Sequence, residues 1–205
     1  PFTAEGKKTA AFEIWEMVME NDYDSNRPLN VFVSVGDGNI ISGLHKGFKD
    51  LHALGWMETM PRIFGIQSEG SAAVANAFHA GTETITPVSA TTIADSISVD
   101  LPRDGVRAVR AATQTGGKYI TVKDEEIIAA IAELGKVAIF AEPAGATAYA
   151  GLCKAVTQGH IGAEDPVLVM NTGSGLKDVR AAMQAVKEAP IIEPSMDALK
   201  KHLGM

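Results

Sequence analysis

Short apolar runs alternate with amphipathic stretches along almost the whole chain. The runs are four or five residues long, largely β-branched or aromatic, and lie at residues 31–35, 63–66, 119–122, 137–140 and 167–170. Runs of this kind are typical of strands that are covered on both faces, as in a parallel sheet. Each of the five runs is therefore predicted to be a strand.

Helical periodicity fills the segments between these runs. Apolar residues recur at the spacing of one helix face in two long stripes and two shorter ones: Ala11, Ile14, Trp15, Val18; Val179, Ala182, Met183, Val186; Leu44, Phe48, Leu51; Ile127, Ile128, Ile131. Acidic residues at 124–126 mark a helix start, where the helix dipole favours negative charge. The alternation predicts an α/β fold with an open, mainly parallel sheet and helices on both faces.

The chain divides into three predicted parts. Residues 1–30 form a leading helix and its connection, residues 31–190 form the large ligand-binding domain, and residues 191–205 form a C-terminal helix or tail. Within the large domain, residues 82–101 are rich in Thr, Ser and Ala and are predicted to be a loop with a short helix that lines a site. Because the chain runs into a helical pattern within a few residues of Pro1, we expect it to be the interior of a longer protein.

Composition excludes several classes of partner. A net charge of −7 argues against nucleic acid and acidic membranes, both of which attract basic surfaces. No run approaches the roughly 18–20 apolar residues of a membrane-spanning helix, and no secretory signal is visible. The single cysteine, Cys153, fits a reducing, cytoplasmic setting and is predicted to pack in the core. The histidines show no metal-ligand spacing, so no metal site is predicted.

The first candidate site is a glycine-rich turn between a strand and a helix. It comprises Gly36, Asp37, Gly38 and Asn39. Such a turn frees backbone N–H groups and leaves room for an oxyanion at the helix N-terminus, although a simple tight turn explains the glycines equally well. The Asp37 carboxylate has to point away from any bound phosphate because the two charges repel each other.

Two further candidates follow later apolar runs. In residues 142–146, Glu142 is placed to face a ligand at the sheet edge or to stabilise the next helix, and Pro143 suits the first turn of that helix. In residues 172–178, Thr172 or Ser174 offers a hydroxyl to a neutral ring nitrogen at the C-terminal edge of the sheet. A Ser/Gly helix cap with Lys177 on the solvated face is the simpler interpretation.

Taken in order, these segments resemble the pyridoxal-phosphate (PLP) enzymes of fold type II, the family of threonine synthase, threonine dehydratase and the tryptophan synthase β subunit. The closest resemblance is to the C-terminal half of the threonine synthases and covers nearly the whole chain. It is carried by six segments in register: residues 5–14, 33–40, 61–70, 92–95, 142–146 and 172–178.

The resemblance implies a cofactor, a reaction and partners. It implies that Gly36 to Asn39 cradle the PLP phosphate and that Thr172 hydrogen-bonds the pyridine nitrogen, which leaves the ring unprotonated. It also implies a lyase of amino-acid biosynthesis that converts O-phosphohomoserine and water to threonine and phosphate. The intact protein is expected to act on a small amino acid as a homodimer.

The Schiff-base lysine of this family is missing. The resemblance places it in the N-terminal half, before the region seen here, and Lys177 matches the late Gly-Leu-Lys-Asp motif instead. No catalytic residue is therefore predicted in this chain, which is expected to be inactive without the missing N-terminal half. A lone half also exposes edge strands and apolar helix faces.

Two alternatives stay open. Within the same family, a threonine or serine dehydratase, or a β-replacement enzyme of the cysteate or cysteine synthase type, uses similar motifs. Outside enzymology, a non-catalytic half-domain or pseudoenzyme binds a partner chain. The Glu5–Thr9 and Gly175–Asp178 segments favour threonine synthase.

Overall fold

The computed structural model of the chain describes residues 2–21, 27–186 and 188–205. Within them lie four strands: β1 (Asn30–Ser34), β2 (Arg62–Ser68), β3 (Tyr119–Val122) and β4 (Val167–Val169). The helices are α1 (Phe2–Lys7), α2 (Thr9–Glu20), α3 (Asn39–Ala53), α4 (Ala73–His79), α5 (Gly105–Thr115), α6 (Asp124–Lys136), α7 (Pro143–Thr157), α8 (Val179–Ala185) and α9 (Met196–Leu203). Single 3-10 turns lie at Glu69–Ser71, Asp95–Ile97 and Gly175–Lys177.

The strands form one parallel sheet in the order β3-β2-β1-β4. In the central strand β1, Val31 and Val33 belong to a core on one face, whereas Phe32 stacks on Phe64 in a second core on the other. Both faces of β1 are therefore buried, and this explains why its run is continuously apolar. The predicted open, mainly parallel sheet with helices on both faces is confirmed.

Local signals position the helices as the sequence predicts. Glu126 accepts a hydrogen bond from the Lys123 amide at the start of α6 (2.7 Å), and Pro143 occupies the first turn of α7. The Ala11 and Phe48 stripes face the core. The predicted loop at residues 82–101 contains one short 3-10 turn, and a helix, α9, lies in the predicted tail.

The predicted strand at residues 137–140 is wrong. Helix α6 ends at Lys136, and the amides of Val137 and Ile139 both bond back to the Leu134 carbonyl. Ala138 takes a positive φ of 63°, which turns the chain out of the helix. The apolar run instead forms a helix end, and Val137 is 67% exposed.

Two packing predictions are also wrong. The stripe on α8 is not buried: Val179 and Met183 are exposed, and Ala181 packs inward instead. Cys153 on α7 is exposed, not in the core. Both errors concern outer surfaces of the second core, where apolar character alone does not indicate which side of a helix faces inward.

Candidate active site

A cleft of about 320 Å³ opens beyond the C-terminal end of β1. This is the edge of a parallel sheet at which open α/β folds bind ligands. The cleft is lined by α1, the end of β1, the turn into α3, the 82–101 loop, the start of α7 and the loop after β4: Thr3, Lys7, Ser34, Gly36, Asp37, Gly38, Asn39, Ile40, Ile41, Ser96, Ile97, Val99, Glu142, Ala144, Thr172 and Lys177.

The glycine turn at one end of the cleft has the form of an anion site. Gly38 adopts a left-handed conformation (φ 88°) directly before the 15-residue helix α3. A Cβ on Gly36 would lie 2.9 Å from the Ile97 Cα, so only glycine fits there. The first N–H groups of a helix have no intrahelical partners and carry partial positive charge. The turn therefore presents N–H donors of the kind that bind a phosphate.

The Asp37 side chain, an awkward neighbour for a phosphate, has a partner outside the turn. Its Oδ1 accepts a hydrogen bond from the Arg103 amide (3.0 Å). The Asp37 carbonyl accepts a second bond from the Asp104 amide (2.9 Å). These two contacts tie the glycine turn to the start of α5. The first contact draws the Asp37 carboxylate toward residue 103.

The wall of the cleft next to the glycine turn comes from the 82–101 loop. Asp124 anchors it: one carboxylate oxygen accepts from the Thr92 hydroxyl (2.6 Å) and the other from the Ile93 amide (2.9 Å). Further along, the buried Ser71 hydroxyl accepts from the Val99 amide (3.0 Å). A loop fixed at both points holds Ile97 against Gly36, and its residues 96, 97 and 99 line the cleft.

The loop after β4 is held around Glu142. The Glu142 amide donates to the Gly173 carbonyl (3.0 Å), and the Gly175 amide donates to the Phe140 carbonyl (2.9 Å). The buried Glu142 carboxylate occupies the space that a Cβ on Gly173 would need. Its Oε1 accepts a bond from Lys177 Nζ (2.8 Å), whose side chain is 57% exposed. Glu142 thus both precedes α7 and faces the cleft.

Most of the predicted cofactor-binding residues come together in this cleft. Gly36, Asp37, Gly38, Asn39, Glu142 and Thr172 all line it. Ser174 does not line it, because its hydroxyl accepts from the Leu176 amide (3.3 Å) and caps the 3-10 turn. The simpler interpretation of Ser174 as a cap is therefore the better one. Lys177, predicted on the solvated face, is 57% exposed, and its ammonium also donates to Glu142 at the cleft.

Sequence reasoning missed Ser34 and Lys7. Ser34 carries the only hydroxyl in the first apolar run and lies two residues before the glycine turn. A lone polar residue inside a buried strand is the signal that would have found it. Lys7, on α1, brings a second cation to the cleft; nothing in the local sequence distinguishes it from a surface lysine.

Within the described ranges, no group of three or more His, Cys, Asp and Glu side chains is arranged to hold a metal ion. The described helices are likewise each too short or too polar to cross a membrane.

Comparison with known proteins identifies the class of protein to which this chain belongs. Residues 1–173 match the family model of pyridoxal-phosphate dependent enzymes. The chain belongs to this family, and its cofactor is pyridoxal 5′-phosphate.

The curated relatives refine the family. The chain is 37% identical over 205 residues to a threonine synthase of Methanocaldococcus jannaschii and 34% identical over 203 residues to one of Methanosarcina acetivorans. These alignments cover 99% and 98% of the chain but 49% of each relative, in its C-terminal half. The chain therefore spans about half the length of the curated relatives it matches.

Solved structures show the same fold. A threonine deaminase of Solanum lycopersicum superimposes with a TM-score of 0.67 at 21% identity, over 90% of this chain and 50% of its own. Threonine synthase from Escherichia coli superimposes with a TM-score of 0.65 at 17% identity, over 91% of this chain and 46% of its own. The predicted fold type II architecture is confirmed.

The residues of the cleft fit this cofactor. A glycine turn at a helix N-terminus suits its phosphate. The Thr172 hydroxyl and the Ser34 hydroxyl, which has no hydrogen-bond partner among the described residues, suit polar atoms of its ring. Pyridoxal phosphate supplies an electron-withdrawing ring when bound, and these are the residues that would hold it.

The Glu142–Lys177 pair generates a stability prediction. We expect Lys177→Met to lower the free energy of unfolding by about 1–2 kcal/mol, since it leaves a buried carboxylate without its cation. The matched control is Lys136→Met, which removes a lysine from a pair in which both side chains are at least 52% exposed and costs at most about 0.5 kcal/mol. Urea unfolding measures both; equal midpoints would contradict the structural role of Lys177.

Proposed function

We propose that the complete protein is a threonine synthase-type lyase that converts O-phosphohomoserine and water to threonine and phosphate, and that this chain supplies its cofactor cradle. The observation that carries the proposal is the cleft, in which the glycine turn before α3 and Thr172 after β4 meet at one edge of the sheet. Relatives that are 34–37% identical over nearly the whole chain support the choice of threonine synthase.

The roles proposed for the cleft residues follow from their chemistry. The amides of Gly36, Gly38 and Asn39 bind the cofactor phosphate at the N-terminus of α3. Thr172 donates its hydroxyl to the ring nitrogen and keeps it unprotonated, which favours elimination and replacement at the side chain of an amino acid. Glu142, fixed by Lys177, holds the Thr172 loop in place.

The covalent lysine is proposed to lie outside residues 1–205. Of the two lysines that line the cleft, Lys7 lies on α1, and Lys177 lies in the loop after β4, where it bonds to Glu142 across 2.8 Å. The Glu142 carboxylate engages the Lys177 amine, so this amine is not placed to attack an aldehyde. The chain alone is therefore proposed to bind the cofactor without reacting with it and to have no activity.

The rest of the complete protein is proposed to pack against the β4 side of the sheet. A groove of about 920 Å³ runs between α2 and β4, and it includes Ile14, Val18 and Leu168. After β4 in the chain, Leu176 is 76% exposed and Val179 is 51% exposed. Apolar surface on this scale beside an edge strand is typical of an interface, and the half of the relatives that this chain does not span is its proposed occupant.

Substrate assays on the complete protein test the proposed reaction. We expect phosphate release from O-phosphohomoserine and little 2-oxobutanoate from threonine. Thr172→Val, which removes one hydroxyl at nearly constant volume, is expected to lower kcat/KM at least tenfold. The control is Thr157→Val, on the exposed surface of α7, whose hydroxyl bonds only to the Cys153 carbonyl.

Two results would contradict this assignment. Turnover of threonine with none of O-phosphohomoserine would make the protein a dehydratase. Equal kcat/KM for the Thr172→Val and Thr157→Val variants would remove Thr172 from the site.

Borohydride reduction tests the position of the covalent lysine. Reduction of the complete protein with its cofactor attaches pyridoxal phosphate permanently to the lysine that holds it, and peptide mass mapping locates that residue. We expect the modified lysine outside residues 1–205, with Lys177 unmodified. Modification of Lys177, or of another lysine within these residues, would overturn the missing-lysine proposal.

A further inference from the structure

A buried hydroxyl without a partner lies at the floor of the cleft. Ser34 is the last residue of β1, is 5% exposed, and lines the cleft. Its Oγ has no hydrogen-bond partner among the described residues. A buried hydroxyl loses its bonds to water and is costly unless the protein or a ligand replaces them. The protein around Ser34 does not replace them.

Position distinguishes Ser34 from the other buried polar atoms of this kind. In the part of the chain that the structure describes, four other buried side-chain atoms also have no hydrogen-bond partner: Asn30 Oδ1, Ser42 Oγ, Arg62 Nε and Asp104 Oδ2. None of these four residues lines the cleft. Ser34 is therefore the one unpartnered buried polar group, among those described, that faces the ligand site.

The strand register places Ser34 level with the start of the Thr172 loop. Phe32 of β1 pairs with Val169 of β4, and the Met170 amide donates to the Phe32 carbonyl (3.0 Å). Two residues further along each parallel strand, Ser34 lies level with the start of the loop that carries Thr172. The glycine turn begins two residues later, at Gly36. Ser34 therefore lies between the Thr172 loop and the glycine turn along this edge of the cleft.

We propose that the Ser34 hydroxyl is a further cofactor contact and that it bonds a polar atom of the ring, not the phosphate. This inference rests on the proposed function, since it takes the phosphorylated pyridine as the ligand. A hydroxyl both donates and accepts, so it serves either type of ring atom. Ser34 and Thr172 then hold the ring from two adjacent strands while the glycine turn holds the phosphate.

Binding to the cofactor-free complete protein tests the contact without catalysis. The probes are pyridoxine 5′-phosphate, which has the ring and phosphate but no aldehyde, and inorganic phosphate. We expect Ser34→Ala to weaken pyridoxine 5′-phosphate roughly fivefold, as for one hydrogen bond, and to leave phosphate affinity unchanged. The ligand-free variant is expected to unfold at the same temperature or roughly 2 °C higher, since an unpartnered hydroxyl is removed.

Ser42→Ala is the matched control. Ser42 lies on α3, is 4% exposed, and also has an unpartnered Oγ, but it does not line the cleft. We expect it to have the same effect on the unfolding temperature and no effect on either affinity. This pair separates a contact with the ligand from a general effect of removing a buried hydroxyl.

The possible results are distinguishable. If the wild-type protein binds phosphate but does not bind pyridoxine 5′-phosphate more tightly, the proposed function fails. If the wild type binds the probe and Ser34→Ala binds it equally well, the Ser34 contact is wrong and the proposed function stands. If Ser34→Ala weakens both probes alike, Ser34 acts through the phosphate turn, and the ring contact is wrong.

Discussion

The parallel pairing of β1 with β4 brings two distant parts of the chain to one edge of the sheet. Asn30, fully buried, fixes where this pairing begins: its backbone amide and its side-chain amide both donate to the Pro166 carbonyl (3.0 and 2.9 Å). From this point the register runs to Phe32 and Val169. A shift of one residue would turn Ser34 away from the cleft, because side chains alternate between the faces of a strand. The site depends on this register.

Glu142 fixes the loop after β4 at one side of the cleft. The residues after β4 are mostly exposed and have little core of their own, so the strand alone would leave them loosely placed. Backbone bonds from 140–142 to 173–175 and the ion pair with Lys177 attach them to the start of α7. The buried α7 packs on the sheet, and the loop that carries Thr172 takes its position from that helix. The 82–101 loop is likewise fixed by hydrogen bonds, because the Asp124 carboxylate accepts from the Ile93 amide.

The sequence predicts those parts of the fold that burial determines. Four of the five apolar runs are strands, and β1 is covered on both faces, the condition that a continuous apolar run reflects. The fifth run failed because a helix end and a strand share the same short apolar pattern. Sequence motifs indicate the cleft residues of the glycine turn and of the Thr172 loop. No motif indicates Ser34 or the Glu142–Lys177 pair. Their roles arise from contacts between residues 35 positions apart or from a missing partner, and neither leaves a local pattern.

Amide chemical shifts measure most directly whether the two loops form one ligand site. In the 15N-labelled protein, titration with pyridoxine 5′-phosphate is predicted to shift the amides of the Gly36–Asn39 turn and of the Thr172–Gly173 loop together, with one common dissociation constant. Shifts in only one of these loops, or shifts confined to the groove between α2 and β4, would contradict the account of this cleft as a single cofactor cradle.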